Sequence, residues 1–293
     1  MRHQIPFVCS LALALSCVGP SARAQNGQPD EATVGLLARL LAVADGRQFD
    51  RATLREGLLS DDFRVRVQSA LAAGRIGDAR AVELLVAALT DSIGAVQAAA
   101  AFALGLLRDP AAVEPLLGVV RSVPPEAQGT GQMEGVTALA KIGGEAGARA
   151  IQQIIEGVPL GRPVPAAASV ALLEAWRLGT RAPAAQLLAY AENADPVVQG
   201  RALFSLGRLR LAAAQPLMLR ALGSPSPDVR AIAARGMSAS LADSTALGRA
   251  AVSARLRPLV NDESALVRIN ALRALASFRG DSTLAPAAIA ALA

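Results

Sequence analysis

One helical pattern returns along most of the chain, and it limits the fold more than any other feature. Residues 61–89 (DDFRVRVQSALAAGRIGDARAVELLVAAL) contain two apolar stripes with the spacing of a helix face, separated by a turn at Gly77-Asp78. The first stripe consists of Val67, Ala70, Leu71 and Gly74, and the second of Val82, Leu85, Val86 and Leu89. A single hairpin of two such helices cannot bury both stripes. The pattern therefore predicts that copies of the hairpin stack on either side of it.

Further copies are present in the sequence. A valine followed by Arg or Gln, with a small residue nine positions after the valine, recurs at Val65-Arg66, Val96-Gln97, Val198-Gln199, Val229-Arg230 and Val267-Arg268. Two weaker copies centre on Ala140 and Trp176. The reference residues 74, 105, 140, 176, 207, 238 and 276 differ by 31 to 38 positions. Seven copies predict an all-α chain of about seven helical hairpins.

The repeat resembles a known family. AVEPLL at 112–117, AAQPLM at 213–218 and DPVVQGRALFSLGRL at 195–209 resemble HEAT-like repeats, of the short type also found in bilin lyases. The resemblance covers about four fifths of the chain and implies a HEAT-like, armadillo-type solenoid, a right-handed α-α superhelix. It implies little about function, because solenoids of this type serve mainly as binding surfaces for many different partners.

The first 24 residues have the composition of a secretory signal peptide. Arg2 and His3 give a positive start, residues 5–18 are mostly apolar, and Ala22-Arg23-Ala24 supplies a cleavage pattern. The segment is short for a membrane span. We therefore expect cleavage after Ala24 and an exported protein, periplasmic or extracellular. A lipid anchor at Cys17 is the minor alternative, since the usual Leu three positions upstream is missing.

Cleavage would remove both cysteines, Cys9 and Cys17, together with the single histidine, His3. The mature chain would then lack the residues for disulfides, for the usual zinc and haem sites and for Cys/His nucleophiles. The sequence thus predicts a protein that is not an enzyme and that has no metal or cofactor. Loss of Arg2 and Arg23 lowers the 29 basic residues to 27 against 24 acidic ones, a net charge of +3. So small an excess is not typical of nucleic-acid binding.

Three regions follow from these features: the signal peptide at 1–24, a linker with N-terminal capping helices at 25–57, and the repeat array at 58–293. We expect the capping helices at 33–43, with Asp30 at its N-cap, and at 49–59. The Pro/Gly-rich stretches 122–131 and 157–165 are expected to be surface loops, with binding loops as the alternative. In the longest copy, seven extra residues are expected to lengthen the second helix, with a bend at Pro258.

A ladder of recurring charged residues is predicted to hold the copies together. Aspartates stand where first helices begin, and arginines or glutamines recur after the repeat valine within reach of neighbouring copies. The predicted ladder consists of Asp62, Arg66, Asp195, Asp228, Arg230 and Arg268, with Gln97 and Gln199 as polar replacements. Asp262 is a further aspartate that is expected to stand where a first helix begins. These aspartates already have a capping role and belong to separate copies, so they do not form a carboxylate pair for acid–base catalysis.

The second helices are the predicted partner-binding surface, because they line the concave face in the proteins that this chain resembles. The candidate positions are Glu83, Ala87, Glu114, Arg149, Gln153 and Arg220. They are mixed in sign and contain no aromatic cluster, which favours a protein or peptide over a nucleic acid. Trp176 and Tyr190 fall in one copy and are a candidate hot spot, although core filling or wedging between helices is the better explanation of Trp176.

Taken together, the sequence predicts an exported, non-catalytic scaffold of HEAT-like repeats that binds a protein or peptide on its second-helix face. The alternative is that the chain is the N-terminal arm of a longer exported enzyme. The chain stops at residues 287–293 (AAIAALA), inside an expected second helix and without a polar end cap. A catalytic domain beyond Ala293 would then use the repeats to present its substrate.

Overall fold

The computed structural model describes residues 30–122, 129–243 and 248–278, and every regular element within these ranges is helical. The predicted all-α class is therefore confirmed. The chain divides into two compact units, residues 1–142 and 143–293. The expected signal peptide, residues 123–128 of the expected loop and the final stretch 287–293 lie outside the described residues.

Each unit consists of short helices that follow one another along the chain. In the first unit they are α1 (Glu31–Asp45), α2 (Arg51–Leu58), α3 (Phe63–Ile76), α4 (Val82–Ala88), α5 (Gly94–Leu107), α6 (Val113–Ser122) and α7 (Thr130–Ile142). In the second they are α8 (Gly144–Glu156), α9 (Ala166–Glu174), α10 (Ala184–Tyr190), α11 (Pro196–Leu209), α12 (Gln215–Ala221), α13 (Pro227–Gly236), α14 (Ala239–Asp243), α15 (Gly248–Leu256) and α16 (Ala265–Leu275). Short 3-10 helices at Ala79–Ala81, Pro110–Ala112 and Ala212–Ala214 lead into α4, α6 and α12.

The expected hairpin at 61–89 is α3 followed by α4, but the buried face of α3 is wider than the predicted stripe. Ala70 and Gly74 are buried as expected, and Val65 is fully buried as well. Val67 and Leu71 are only half-buried. The reason is that α3 packs against α1 on one side and α5 on the other, in addition to α2 and α4. A helix with neighbours on two sides buries more than one stripe.

Successive first helices approach each other so closely that their backbones nearly touch. A Cβ added at Gly74 would lie 2.8 Å from the Cα of Ala103, and one added at Gly105 would lie 3.0 Å from the Cα of Ala138. In the second unit, a Cβ at Gly207 would lie 3.1 Å from the Cα of Gly236. The small residue of the repeat is therefore required by the packing of one first helix on the next.

The longest copy departs from the expectation that its extra residues lengthen the second helix. Its first helix, α13, ends at Gly236, and residues Ala239–Asp243 form the separate helix α14. Its second helix consists of nine residues of α-helix followed by five residues of 3-10 helix, Arg257–Asn261. The second helix of the first full hairpin has three residues of 3-10 helix and seven residues of α-helix. Only part of the insertion extends the second helix, because Gly248 has φ +73° and cannot continue a helix from upstream. Pro258 lies in the 3-10 segment, where the α-helical hydrogen-bonding pattern has ended.

The close approach of first helices gives a stability prediction. Gly74→Ala should lower the free energy of unfolding by about 1–3 kcal/mol, because the added methyl group meets backbone rather than a movable side chain. Gly118→Ala is the matched control, since Gly118 is exposed within α6 and a Cβ there meets nothing within 4 Å. The control should be neutral or stabilising by about 0.5–1 kcal/mol. Urea unfolding followed by circular dichroism measures both, and equal effects of the two substitutions would contradict the explanation.

Candidate functional site

The six candidate positions on the second helices are all exposed to solvent. Glu83 and Ala87 lie on α4 and Glu114 lies on α6, all in the first unit. On each helix the opposite face is buried: Leu85 and Leu116 are inaccessible to solvent. The exposed face is therefore a consequence of the same helical periodicity that builds the core.

The second unit carries the other three positions, Arg149 and Gln153 on α8 and Arg220 on α12. The charged candidates are thus acidic in the first unit and basic in the second. Where these side chains are paired, the pairs are exposed: Glu83 with Arg51 at 2.7 Å, Arg149 with Glu145 at 3.6 Å, and Arg220 with Glu192. Exposed ion pairs contribute little to stability, about 0–1 kcal/mol each. These three ion pairs accordingly contribute little to the stability of the fold.

Five loops that precede a first helix contain the same turn. In each, a polar side chain five residues before the repeat valine accepts a hydrogen bond from the backbone N–H two residues further on, at 2.8–3.3 Å. These turn residues are Ser60, Asp91, Asn193, Ser224 and Asp262. Short polar side chains stabilise such turns by taking the place of a backbone acceptor. The repeat pattern in the sequence did not predict this role for any of the five.

The predicted ladder side chains donate back to the same loops. The Nη1 atoms of Arg66, Arg230 and Arg268 each donate to two successive carbonyl groups, those of the turn residue and of the residue after it, at 2.8–3.2 Å. Gln97 donates its amide to the carbonyl of its own turn residue at 2.7 Å. Gln199 differs, because its amide donates to the carbonyl of Ala191 at 3.1 Å.

Two of the arginines also bridge to the loop of the next repeat. Arg66 donates through Nε and Nη2 to the carboxylate of Asp91, at 2.7 and 3.1 Å, and Arg230 does the same to Asp262, at 2.9 Å for both bonds. The side chains of the second pair are only 11% and 9% exposed. Bidentate arginine–carboxylate bonds of this kind are short and directional, and they fix the spacing of adjacent loops. The guanidinium of Arg230 lowers the pKa of Asp262.

The aspartates that were predicted to stand at the start of first helices have different roles. Asp62 and Asp195 are N-caps, each accepting a backbone N–H at 2.8 Å. Asp228 is not a cap: it lies in the first turn of α13, and Ser226 occupies the capping position. Asp262 is not a cap either, because it lies two residues before Ser264, which precedes α16. Both predictions were wrong because they used the presence of an aspartate near the start of a first helix and not its distance from the repeat valine. The two caps lie three residues before that valine, whereas Asp228 lies one residue before it and Asp262 lies five. Asp91 and Asp262 both lie five residues before a repeat valine, and this spacing marks them as equivalent turn residues without showing which arginine each one binds.

Trp176 is only partly buried, so it does not fill the core, but it contacts the first helix of the next repeat, α11, through Arg208. Its ring is half-buried, and the guanidinium carbons of Arg177 and Arg208 lie 4.7 and 4.2 Å from the ring centroid. Arg177 is also paired with Glu174. Tyr190 is buried, and its hydroxyl donates to the carbonyl of Val158 in the loop at 157–165, at 2.8 Å. Burial raises the pKa of Tyr190. The two aromatic residues thus have separate surroundings: two guanidinium groups lie over the ring of Trp176, and Tyr190 lies within the core.

Within the described ranges, no group of three or more Cys, His, Asp or Glu side chains is placed to hold a metal ion. No helix in the same ranges is long and apolar enough to cross a membrane.

Comparison with known proteins gives the following similarities. A family model described as HEAT repeats matches residues 51–130 and 184–248. No curated protein sequence matches the chain. Among solved structures, the chain is similar to the complex of CpcE and CpcF of phycocyanin lyase from Nostoc sp. PCC7120, with 19% identity, 92% of this chain and 95% of that chain covered, and a TM-score of 0.49. It is also similar to human deoxyhypusine hydroxylase in complex with glycerol, with 19% identity, 84% of this chain and 98% of that chain covered, and a TM-score of 0.36. A third similar structure is an engineered protein, with 21% identity, 89% of this chain and 77% of that chain covered, and a TM-score of 0.44.

The bridge between Arg230 and Asp262 can be tested by removing one charge. Asp262→Asn keeps an oxygen for the turn but loses the carboxylate, and should cost about 1–2 kcal/mol of unfolding free energy at pH 7. Because the folded pKa of Asp262 lies below its ordinary value of 3.8, its contribution is present above that pH and is lost as the pH falls through the folded pKa. The difference between wild type and variant should therefore shrink below about pH 4.

Glu263→Gln is the control for this experiment. Glu263 contacts the same arginine at 3.3 Å, but its side chain is 86% exposed, so its loss should change stability by less than about 0.5 kcal/mol. Urea unfolding at pH 7, 5 and 3.5 measures all three proteins. A pH-independent effect of Asp262→Asn, or an equal effect of Glu263→Gln, would contradict the assignment.

Proposed function

The chain is a HEAT-repeat protein, and from this premise we propose that it is an exported, non-catalytic scaffold that binds a protein or peptide on the exposed face of its second helices. One observation carries the proposal. The residues that recur between copies are used in packing, caps and turns, whereas Glu83, Glu114, Arg149 and Arg220 differ between copies and are exposed. Specificity for a partner requires side chains that the fold itself does not need.

The charges on this face favour a protein partner with a mixed charge pattern. The first unit offers carboxylates at Glu83 and Glu114, and the second offers guanidinium groups at Arg149 and Arg220. Because the ion pairs of these residues with their own neighbours are exposed, exchanging them for pairs with a partner costs little. Such a surface contributes to the rate and selectivity of association more than to raw affinity.

Export is supported by the first 24 residues and by the consequence of removing them. A positive start, an apolar stretch and Ala22-Arg23-Ala24 form the pattern that a signal peptidase recognises. The mature chain would contain neither cysteine nor histidine, which suits an oxidising compartment and does not supply the common catalytic nucleophile and base.

Export predicts a defined N-terminus. Mass spectrometry of the protein purified from the extracytoplasmic fraction should give a chain that begins at Gln25, because cleavage follows Ala24. A chain that retains residues 1–24, or one that begins at a lipid-modified Cys17, would contradict this prediction. Substituting Ala22 and Ala24 by bulky residues should block cleavage and leave the precursor uncut.

The partner-binding face can be tested by exchanging charges without changing the net charge. Glu114→Arg combined with Arg149→Glu should reduce capture of the partner from the extracytoplasmic fraction by about tenfold, since two contact charges are reversed. Glu31→Arg combined with Arg235→Glu is the matched control, because both residues are exposed and lie on first helices. Capture is measured by quantitative mass spectrometry after cross-linking, with circular dichroism melts to show equal stability. Equal loss from the two double variants, or no loss from either, would contradict the proposed face.

A further inference from the structure

The repeat that contains Gln199 lacks the contacts that an arginine makes at the same position elsewhere. At Arg66, Arg230 and Arg268, the Nη1 atom donates to the carbonyl groups of the turn residue and of the residue after it. The corresponding carbonyls in this repeat belong to Asn193 and Ala194. Neither accepts a hydrogen bond from any residue that the structure describes, because Gln199 is bonded to Ala191 instead.

The acceptor in the next loop is also changed. Arg66 and Arg230 reach forward to a carboxylate at the next turn residue, Asp91 or Asp262. After Gln199, the next turn residue is Ser224, whose short hydroxyl accepts a hydrogen bond within its own turn at 3.3 Å. The gap between these two loops therefore has a shorter side chain on each side: Gln199 in place of an arginine, and Ser224 in place of an aspartate.

A groove of about 450 Å³ lies at this place, between the loop that follows α10 and the loop that follows α12. Its lining includes Asn193 and Ala194, and it also includes Gln199 and Ser224, the two residues that replace the bridging arginine and aspartate. The cause of the groove is thus visible in the sequence: glutamine in place of arginine, and serine in place of aspartate. The remaining space is of the size that a side chain, and not a whole domain, would fill.

A carboxylate is available at the rim. Glu192 and Arg220 both line the groove and form an ion pair in which only Oε1 of Glu192 takes part, and both side chains are 62% exposed. A carboxylate accepts hydrogen bonds on both oxygens, so Oε2 remains for a second donor. The groove therefore combines two backbone carbonyls with one carboxylate oxygen, all of them acceptors.

We propose that this groove binds the guanidinium group of an arginine side chain supplied by a partner protein. The inference rests on the proposed scaffold function and names the chemistry that one part of its surface recognises. The bound group would donate to the carbonyls of Asn193 and Ala194, as Arg66, Arg230 and Arg268 do in their own repeats, and to Glu192. The chain thus contains three internal examples of the contact that the partner would make.

Arginine fits this site better than other side chains. An anion would be attracted only by Arg220, which is already paired with Glu192, and would be repelled by the carbonyl and carboxylate oxygens. A lysine ammonium is a compact point charge, whereas the planar guanidinium has five N–H donors that can span two carbonyls and a carboxylate at once. Arg220 opposes the bound cation, but its side chain is exposed and its charge is screened by solvent and salt.

The first experiment uses N-acetyl-arginine amide as the probe, titrated into the whole protein and followed by ¹⁵N nuclear magnetic resonance. The amide resonances of Asn193, Ala194 and Ser224 should shift and reach saturation. N-acetyl-citrulline amide has nearly the same shape without the charge, and it should cause no saturable shift. Absence of saturation with the arginine probe, or equal shifts with citrulline, would overturn the proposal.

The second experiment fills the groove with the arginine–aspartate pair that other repeats of this chain contain. Gln199→Arg combined with Ser224→Asp restores the pair present at Arg66 and Asp91, and should raise the melting temperature while weakening probe binding about tenfold or more. Should this double variant fail to fold, Glu192→Gln serves instead, because Glu192 is exposed and its change should weaken binding several-fold without loss of stability. Unchanged probe affinity in a folded Gln199→Arg/Ser224→Asp or Glu192→Gln variant would overturn the site.

Two further measurements separate this proposal from its alternatives. Arg220→Ala removes a like charge and should leave probe binding equal or tighter, whereas loss of binding would indicate an acidic ligand and overturn the arginine site.

The scaffold function is tested separately, by capture of a partner. A partner that is captured equally by the wild type and by Gln199→Arg/Ser224→Asp would leave the scaffold function intact and would overturn the role of the groove. Probe binding without any captured partner would support the site and contradict the scaffold function.

Discussion

The close contact between successive first helices is the constraint on which the rest of each unit depends. At Gly74 and Gly105 the facing backbone leaves no room for a side chain, so the distance between neighbouring first helices is set by the main chain itself. Side chains at most other interfaces can adjust their rotamers, but backbone cannot yield in this way. The many small residues of the chain are thus a packing requirement, and stability is the sum of modest, similar interfaces.

The fixed distance between first helices also decides what the loops between them can do. Adjacent loops lie at a separation that one arginine can span, as Arg66 does to Asp91 and Arg230 does to Asp262. Because the backbone spacing is set elsewhere, replacing these side chains by Gln199 and Ser224 leaves a groove between the loops instead of a collapsed contact. A binding site can arise in such a repeat by the loss of a structural contact, without any new element.

First and second helices have different roles, and this difference explains why a repeat protein can vary its surface residues without losing its fold. First helices have neighbours on two sides and begin after turns that recur with the same hydrogen bonds, so their residues are strongly constrained. Second helices bury one face, as at Leu85, and present the other to solvent, where Glu83 and Arg220 occupy related positions with opposite charge. Variation is tolerated there because nothing else in the fold depends on those side chains.

The sequence by itself determined the features that are local or periodic. The repeat spacing predicted the helical hairpins and the small residue at Gly74, and the cap at Asp62 followed from the start of a helix, because each depends on neighbours close in the chain. Only the tertiary structure decided that Arg66 bonds to Asp91 of the next loop and that the guanidinium groups of Arg177 and Arg208 lie over the ring of Trp176. These facts depend on side chains from different helices or repeats, and their separation is fixed by backbone packing that a pattern of residue types does not contain.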